Sequence, residues 1–220
     1  MNLLKYDIAI FDMDGTILDT LEDLKDSLNY ALRACGFPER TLSEVKNFVG
    51  NGIVKLIERA VPCDAGKTEK NEVRNIFNDY YSVHYADKTK PYDGITEMIK
   101  KIRNNHILTA VVSNKPDYGV QALCTQFFDG LFDYSTGMRE GIEKKPHPAS
   151  VNSILKKYGI TADRAVYIGD SDVDIQTAQN AGTDCIIVDW GFRDRAELIA
   201  AGADTIVSSA RDLYNLICGG

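Results

Sequence analysis

The sequence predicts an α/β fold: a doubly wound, mainly parallel sheet core with a small helical cap domain inserted after the first strand. Three observations carry this. Short apolar runs of strand length alternate with amphipathic helical stretches, the pattern of βαβ units. Several polar and charged residues stand at the ends of those runs, where open parallel sheets bind ligands. One interval is far too long: Asp14 to Ser113 spans 99 positions, whereas a βαβ crossover and its second strand need only about 30 residues.

Taken in order, Tyr6–Phe11 reads as a buried strand that stops at Asp12. Residues 17–86 read as helical throughout, with apolar residues at helical spacing in Leu21–Ala34, Leu42–Val49, Ile53–Ala60 and Thr68–Tyr85. Leu21, Leu24, Leu28 and Leu32 form one such apolar face. The return segment Asp87–Gly94, with Pro91 and Asp93-Gly94, carries turn chemistry suited to a hinge. With Ile17–Thr20 as its counterpart, the cap is expected to open for substrate and close to exclude water. Ile107–Ser113 is the second core strand, followed by a weaker one at Tyr134–Thr136, then Ala165–Ile168, Asp184–Val188 and Thr205–Val207. Helices are expected at Thr96–Asn104, Gly119–Thr125, Ala149–Tyr158, Ile175–Ala181, Arg193–Ala200 and Ala210–Cys218. Ser113 to Lys145 is 32 positions and Lys145 to Asp170 is 25, so the later units carry no insertion of comparable size. The expected division is therefore 1–16 with 87–220 as a Rossmann-like core, and 17–86 as the helical cap.

Composition narrows the class. A chain of 220 residues can bury one sizeable core plus a small accessory domain. Hydrophobic residues at 44% and charged residues at 26% are the balance of a soluble globular protein. No apolar run is long enough to span a bilayer, and the approach to Tyr6 lacks the charged start and apolar core of a signal peptide. Cys35, Cys63, Cys124, Cys185 and Cys218 are scattered and form no Cys-x-x-Cys pair, which fits reduced thiols in a cytoplasmic protein. A net charge of −7 argues against nucleic acid or an anionic membrane as partner. The protein is expected to act as a monomer or homodimer on a small molecule.

Five side chains stand at or just beyond the expected strand ends. Asp12 and Asp14 follow the first strand, Ser113 ends the second, and Asp170 follows Ile168-Gly169. Lys145 precedes the Ala149 helix. Two or three carboxylates gathered this closely need a cation or a shared proton, since like charges in a small site cannot all stay ionised. Oxygen ligands with no His or Cys beside them favour a hard cation, Mg²⁺. Lys145 and Ser113 supply what a phosphate needs, a positive charge and a hydroxyl donor. Backbone N–H groups after Asp12 and Ser113 add an anion nest. A carboxylate nucleophile with metal and lysine on the phosphoryl oxygens is a sufficient set for phosphate ester cleavage. Asp14, two residues beyond Asp12, can reach the leaving oxygen as a general acid and later deprotonate water. An EF-hand reading of Asp-x-Asp-Gly fails, because Ile17 and Asp23 stand where its Gly and Glu belong. Ser113-Asn114 is also compatible with a helix cap. His147, between two prolines, reads as structural.

Asp12-Met13-Asp14-Gly15-Thr16, Ser113-Asn114, Lys145-Pro146 and Gly169-Asp170-Ser171-x-x-Asp174 resemble, in order, the four motifs of the haloacid dehalogenase superfamily. The resemblance spans the whole chain. It implies Asp12 as nucleophile and Asp14 as acid and base. It implies Mg²⁺ held by Asp12, the Asp14 backbone carbonyl and Asp170, with Asp174 supporting the metal or the lysine. Ser113 and Lys145 would bind the phosphoryl group. Asp14 sets the chain apart from the dehalogenase and phosphonatase branches, and Thr16 resembles the phosphatases, where sugar-phosphate mutases commonly carry valine. Val49-Gly50-Asn51-Gly52 with Leu56 and Arg59-Ala60, together with Lys145-Pro146-His147-Pro148, is similar to phosphoglycolate phosphatases. Ala149 departs from that group, which usually has an acidic residue there. Thr16, Asn114, Gly50 and Asn51 are the candidate substrate-binding positions. The expected reaction is Mg²⁺-dependent hydrolysis of a small phosphorylated metabolite. The alternatives are a sugar phosphomutase or another small-molecule phosphatase or pyrophosphatase of the superfamily.

Overall fold

The computed structural model describes residues 4–219; the ends of the expected core range, residues 1–3 and 220, lie outside it. The first strand, β1 (Ile8–Phe11), is apolar at every position and buried at every position, as a central strand covered on both faces must be. Two short strands follow in the chain, β2 (Leu18–Asp19) and β3 (Lys90–Pro91), which pair with each other. The remaining strands are β4 (Leu108–Pro116), β5 (Tyr134–Met138), β6 (Ala165–Gly169), β7 (Asp184–Val188) and β8 (Ile206–Val207). With β1 they form a six-stranded sheet in the order β5-β4-β1-β6-β7-β8, parallel in every pair.

Winding runs outward from β1 through β4 to β5, then crosses to β6 on the other side of β1. The topological switch point therefore lies between β1 and β6, whose registers pair Ile8 with Ala165 and Phe11 with Ile168. The helices of this unit are α5 (Ile95–Asn104), α6 (Asp117–Phe128), α7 (Ala149–Tyr158), α8 (Asp172–Ala181), α9 (Arg195–Ala200) and α10 (Ala210–Cys218). Ile8 and Ile10 share one sheet face with Ala110, Val112, Ala165 and Tyr167, and that face packs on Val151, Ile154 and Leu155 of α7 and Ala178 of α8. The alternation of β1 sends Phe11 to the opposite face, edge-on to Phe132.

Several elements start or end away from their expected positions: β1 begins at Ile8 rather than Tyr6, β5 runs on to Met138, α6 spans Asp117–Phe128 rather than Gly119–Thr125, and α8 begins at Asp172 rather than Ile175. Strand β4 continues past Ser113 to Pro116, because a register shift between Val112 and Pro116 lets it keep pairing with β5. Helix α9 begins at Arg195 instead of Arg193, since Asp194 caps it with Glu197 at the third helical position.

The second compact unit spans Asp19–Lys90; the first runs up to Leu18 and resumes at Pro91. These edges lie where β2 and β3 pair, a few residues inside the expected 17 and beyond the expected 86. The second unit contains α1 (Leu21–Ala34), α2 (Leu42–Phe48), α3 (Ile53–Ala60) and α4 (Lys67–His84). Leu24, Leu28, Ala31 and Leu32 of α1 are buried, as are Val73, Phe77 and Tyr81 of α4, and the two helices pack together. Thr41 and Glu44 form a capping box that starts α2. Among the described residues, no helix is long and apolar enough to cross a membrane.

Buried Asp23 on α1 holds the end of this unit. Its carboxylate accepts the backbone N–H of Lys88 at 3.0 Å, the N–H of Thr89 at 2.8 Å and the Thr89 hydroxyl at 2.7 Å. An unsatisfied buried donor costs about 1–3 kcal/mol, and Asp23→Ala strands the buried Thr89 N–H, while the Thr89 hydroxyl keeps the Tyr85 carbonyl at 3.1 Å. Urea unfolding of that variant is expected to show a loss of about 1–3 kcal/mol; a midpoint unchanged from wild type would contradict it.

Candidate active site

Asp12 begins where β1 ends. Its N–H donates to the Ile168 carbonyl at 2.8 Å, extending the β1–β6 ladder by one residue, and its Oδ1 accepts the Met13 N–H at 2.7 Å. The chain then turns tightly: the Met13 carbonyl accepts from Ile17 and Leu18 at 3.0 Å, and the Gly15 N–H donates to the Leu18 carbonyl at 2.9 Å. Gly15 has φ +85°, and a Cβ on it would overlap the Asp170 carboxylate. Gly191, beyond β7, also approaches Asp170, and a Cβ on it would overlap both the Asp170 side chain and the Gly15 carbonyl.

Lys145 lies between two carboxylates. Its Nζ is 2.9 Å from Asp12 Oδ1 and 2.7 Å from Asp174 Oδ1, with the Tyr167 hydroxyl at 3.0 Å. Asn114 fixes the Lys145 backbone, donating to its carbonyl at 3.2 Å and accepting its N–H at 2.9 Å. Asp174 Oδ2 accepts from Ser171 Oγ at 2.6 Å and the Asp170 N–H at 3.2 Å. Asp170 in turn accepts the Thr16 hydroxyl at 3.1 Å and the Phe192 N–H at 2.7 Å. The Thr16 carbonyl accepts Trp190 Nε1–H at 3.0 Å. Ser113 is buried, and its hydroxyl accepts the Lys115 N–H at 3.2 Å. Asp14 is half-buried, with Oδ1 2.7 Å from Lys115 Nζ.

The structure thus brings Asp12, Asp170 and Asp174 together, each offering one carboxylate oxygen within 4.8 Å of the others. The Asp14 carboxylate stands outside that trio, on Lys115. Thr16 and Asn114, expected on the substrate side, are engaged with Asp170 and with the Lys145 backbone. Gly50 and Asn51 lie in the second unit, in the turn between α2 and α3. Gly50 has φ +110°, and Asn51 Oδ1 accepts from Arg59 at 2.8 Å while Arg59 also donates to the Phe48 carbonyl at 2.7 Å. Asp172, within the same motif as Asp170, is exposed. His147 is also exposed, 2.7 Å from Glu143.

Sequence reasoning missed Lys115, Tyr167 and the Trp190–Phe192 loop. Lys115 carries a detectable signal: in a strand drawn through to Pro116 it lies two residues from Ser113, the spacing that returns to the same face. The loop reaches Asp170 through the Phe192 backbone N–H, which no residue type announces.

Burial pushes the Asp12 carboxyl up to about 7, with Lys145 opposing and Asp174 and Asp14 adding to the rise. Burial likewise pushes Asp170 up to about 8, reinforced by Asp174 and Asp12. Burial pulls Lys145 down, but Asp12 and Asp174 outweigh it and hold the ammonium well above its ordinary range. In formal charge, Asp12, Asp14, Asp170 and Asp174 against Lys115 and Lys145 leave an excess of two negatives. The donor set fits a divalent hard cation: oxygen ligands only, closely spaced, with negative charge in excess.

Residues 9–188 match the family described as haloacid dehalogenase-like hydrolase. The phosphoglycolate phosphatase of Mesorhizobium japonicum is 34% identical over 194 residues, covering 86% of this chain and 85% of that protein. That of Vibrio vulnificus is 30% identical over 219 residues, covering 96% and 95%. A crystal structure from Lactobacillus delbrueckii subsp. bulgaricus, of a protein provisionally named a phosphoglycolate phosphatase, superposes with a TM-score of 0.94 at 40% identity, covering 99% of this chain and all of that one.

A carboxyl whose pKa is raised by folding stabilises the fold fully below its unfolded value of about 4 and loses that contribution as pH rises through the folded value. For Asp12 and Asp170 the loss runs up to about 7 and 8. A divalent cation held by these carboxylates would favour their ionised forms and oppose that loss. Melting curves are expected to show a larger Mg²⁺-induced rise at about pH 8.5 than at about pH 6, with the difference shrinking in Asp170→Asn. Equal rises at both pH values would contradict this.

Proposed function

The chain belongs to the haloacid dehalogenase-like hydrolases and is a phosphoric monoester hydrolase of that family, and from this premise we propose that it is a Mg²⁺-dependent phosphatase working through an aspartyl-phosphate at Asp12. The supporting observation is the placement of the Asp12 carboxylate: at the end of β1, beside the switch point, 2.9 Å from a buried lysine and on the same short turn as Asp14. The first step forms a bond from an Asp12 carboxylate oxygen to phosphorus and breaks the ester bond, with Asp14 passing a proton to the departing oxygen. In the second, Asp14 takes a proton from water, whose oxygen attacks phosphorus and releases the Asp12 carboxylate and inorganic phosphate.

Lys145 places fixed positive charge where the phosphoryl oxygens gather, and Ser113 offers its hydroxyl to them. Asp12, Asp170 and the Asp14 backbone carbonyl would hold Mg²⁺. Asp174 keeps Lys145 and the Asp170 loop in place, which supports a positioning role for it. Bound Mg²⁺ would supply charge neutralisation at the phosphoryl group.

The proposed substrate is 2-phosphoglycolate or a close small analogue, on the strength of the relatives' names. Gly50 and Asn51 are proposed substrate-side residues on the sequence pattern alone. A cytoplasmic location and a monomeric or homodimeric state complete the proposal; the described cysteines are all free thiols, in keeping with a reducing compartment.

Asp12→Asn is expected to lower Mg²⁺-dependent turnover of p-nitrophenyl phosphate by more than about 10³-fold, since the first bond has no acceptor. Undiminished turnover would sink the mechanism. In a kcat/KM screen of phosphorylated metabolites, 2-phosphoglycolate is expected to lead; a hexose phosphate ahead of it would overturn the substrate assignment while leaving the chemistry intact.

A further inference from the structure

Lys115 belongs to none of the four motifs that suggested the site, yet its side chain is only 3% exposed and its Nζ lies 2.7 Å from Asp14 Oδ1. An ammonium buried to that degree carries a desolvation penalty that only a well-placed counter-charge offsets. The chain takes pains to aim it there. The register shift in β4 between Val112 and Pro116 covers Lys115, and bulges of this kind re-aim side chains. Beyond it, Pro116 regains its pairing with Met138, and Asp117 accepts the Gly137 N–H at 2.8 Å. Within it, the Lys115 N–H donates to Ser113 Oγ at 3.2 Å. Gly119 on α6 lies against the lysine stem: a Cβ there would sit in ordinary van der Waals contact with Lys115 Cδ at 3.4 Å and Cγ at 3.5 Å.

We propose that Lys115 is a positioning residue that clamps the Asp14 carboxylate in the place from which it exchanges protons with the leaving group and with water. This rests on the acid–base role of Asp14 proposed above. A group that must give a proton and then take one at the same reacting centre gains from being held in one geometry, because misplacement by about 1 Å can cost 10²-fold in rate. Lys115 and Lys145 then divide the work: Lys145 serves Asp12 and the phosphoryl oxygens, and Lys115 serves Asp14. The rival assignment is a lysine that binds substrate directly.

A double-mutant cycle at saturating Mg²⁺ separates the two, using Lys115→Met and Asp14→Asn alone and together, with 2-phosphoglycolate and p-nitrophenyl phosphate as substrates. The ratio kcat/KM reports the first phosphoryl transfer, where an alkoxide needs a proton and p-nitrophenolate scarcely does. Lys115→Met is expected to lower kcat/KM on 2-phosphoglycolate by about 10²-fold, the lower range of acid–base catalysis, and on p-nitrophenyl phosphate by less than about 10-fold. Added to Asp14→Asn it should cost no more than about 2-fold, since its partner is gone. Lys115→Arg, which keeps the cation, should recover part of the loss, and Lys115→Gln gives a second neutral variant if Lys115→Met does not fold. Equal losses on both substrates, or a full additional loss in the Asp14→Asn background, would overturn the proposal in favour of direct substrate binding. Full activity in Asp14→Asn would instead bring down the acid–base reading of Asp14 itself.

Discussion

Lys145 lies between Asp12 and Asp174, and this buried ion triad is the interaction on which the rest of the site depends. Taking an isolated charge out of water costs several kcal/mol, so each member is tolerable only with its partners in place. Lys145 cannot neutralise the whole cluster, because Asp170 sits beside the same two carboxylates. What remains is local negative charge, which adds to the larger effect of burial in raising the carboxyls of Asp12 and Asp170. The fold holds this unfavourable arrangement with neutral donors: the Met13 N–H on Asp12, the Phe192 N–H and Thr16 hydroxyl on Asp170, and Ser171 on Asp174. A site kept short of positive charge in this way is prepared to gain from a dication.

The sheet explains why such a cluster can exist. Strands β1 and β6 are adjacent and parallel, so the residues that follow Phe11 and Gly169 emerge side by side at the switch point. Parallel strands buried on both faces supply a rigid apolar base, and Ile8, Ile10 and Tyr167 belong to one packed layer beneath the site. Tyr167 joins the two functions, filling that layer while its hydroxyl reaches Lys145. Gly15 and Gly191 let two backbone segments close on Asp170, so the carboxylate has little freedom to leave its place.

Much of this was legible in the sequence, and the reasons differ residue by residue. β1 and β6 announce themselves as unbroken apolar runs, and the acidic residues just beyond them mark the strand ends. Lys145 could be chosen over Lys144 only through the Pro146 that follows it; the structure buries Lys145 and leaves Lys144 exposed. Thr16 and Asn114 were placed near the site for a different purpose, since both residue types hydrogen-bond substrate and protein equally well. Lys115 escaped notice because the apolar run ends at Val112, and the register shift that keeps it in the strand depends on pairing with β5. The two-residue strands β2 and β3 are too short for any periodicity, which blurs the edges of the helical unit. The Phe192 N–H is a backbone group, and its role exists only once β7 is beside β6.

The central claim is that Asp12 itself accepts the phosphoryl group. Borohydride reduction of enzyme quenched during turnover converts an aspartyl-phosphate to homoserine, which peptide mass spectrometry locates. The account predicts homoserine at position 12, dependent on both Mg²⁺ and substrate. Turnover proceeding with Asp12 unmodified and the acyl-phosphate found at another carboxylate would contradict it.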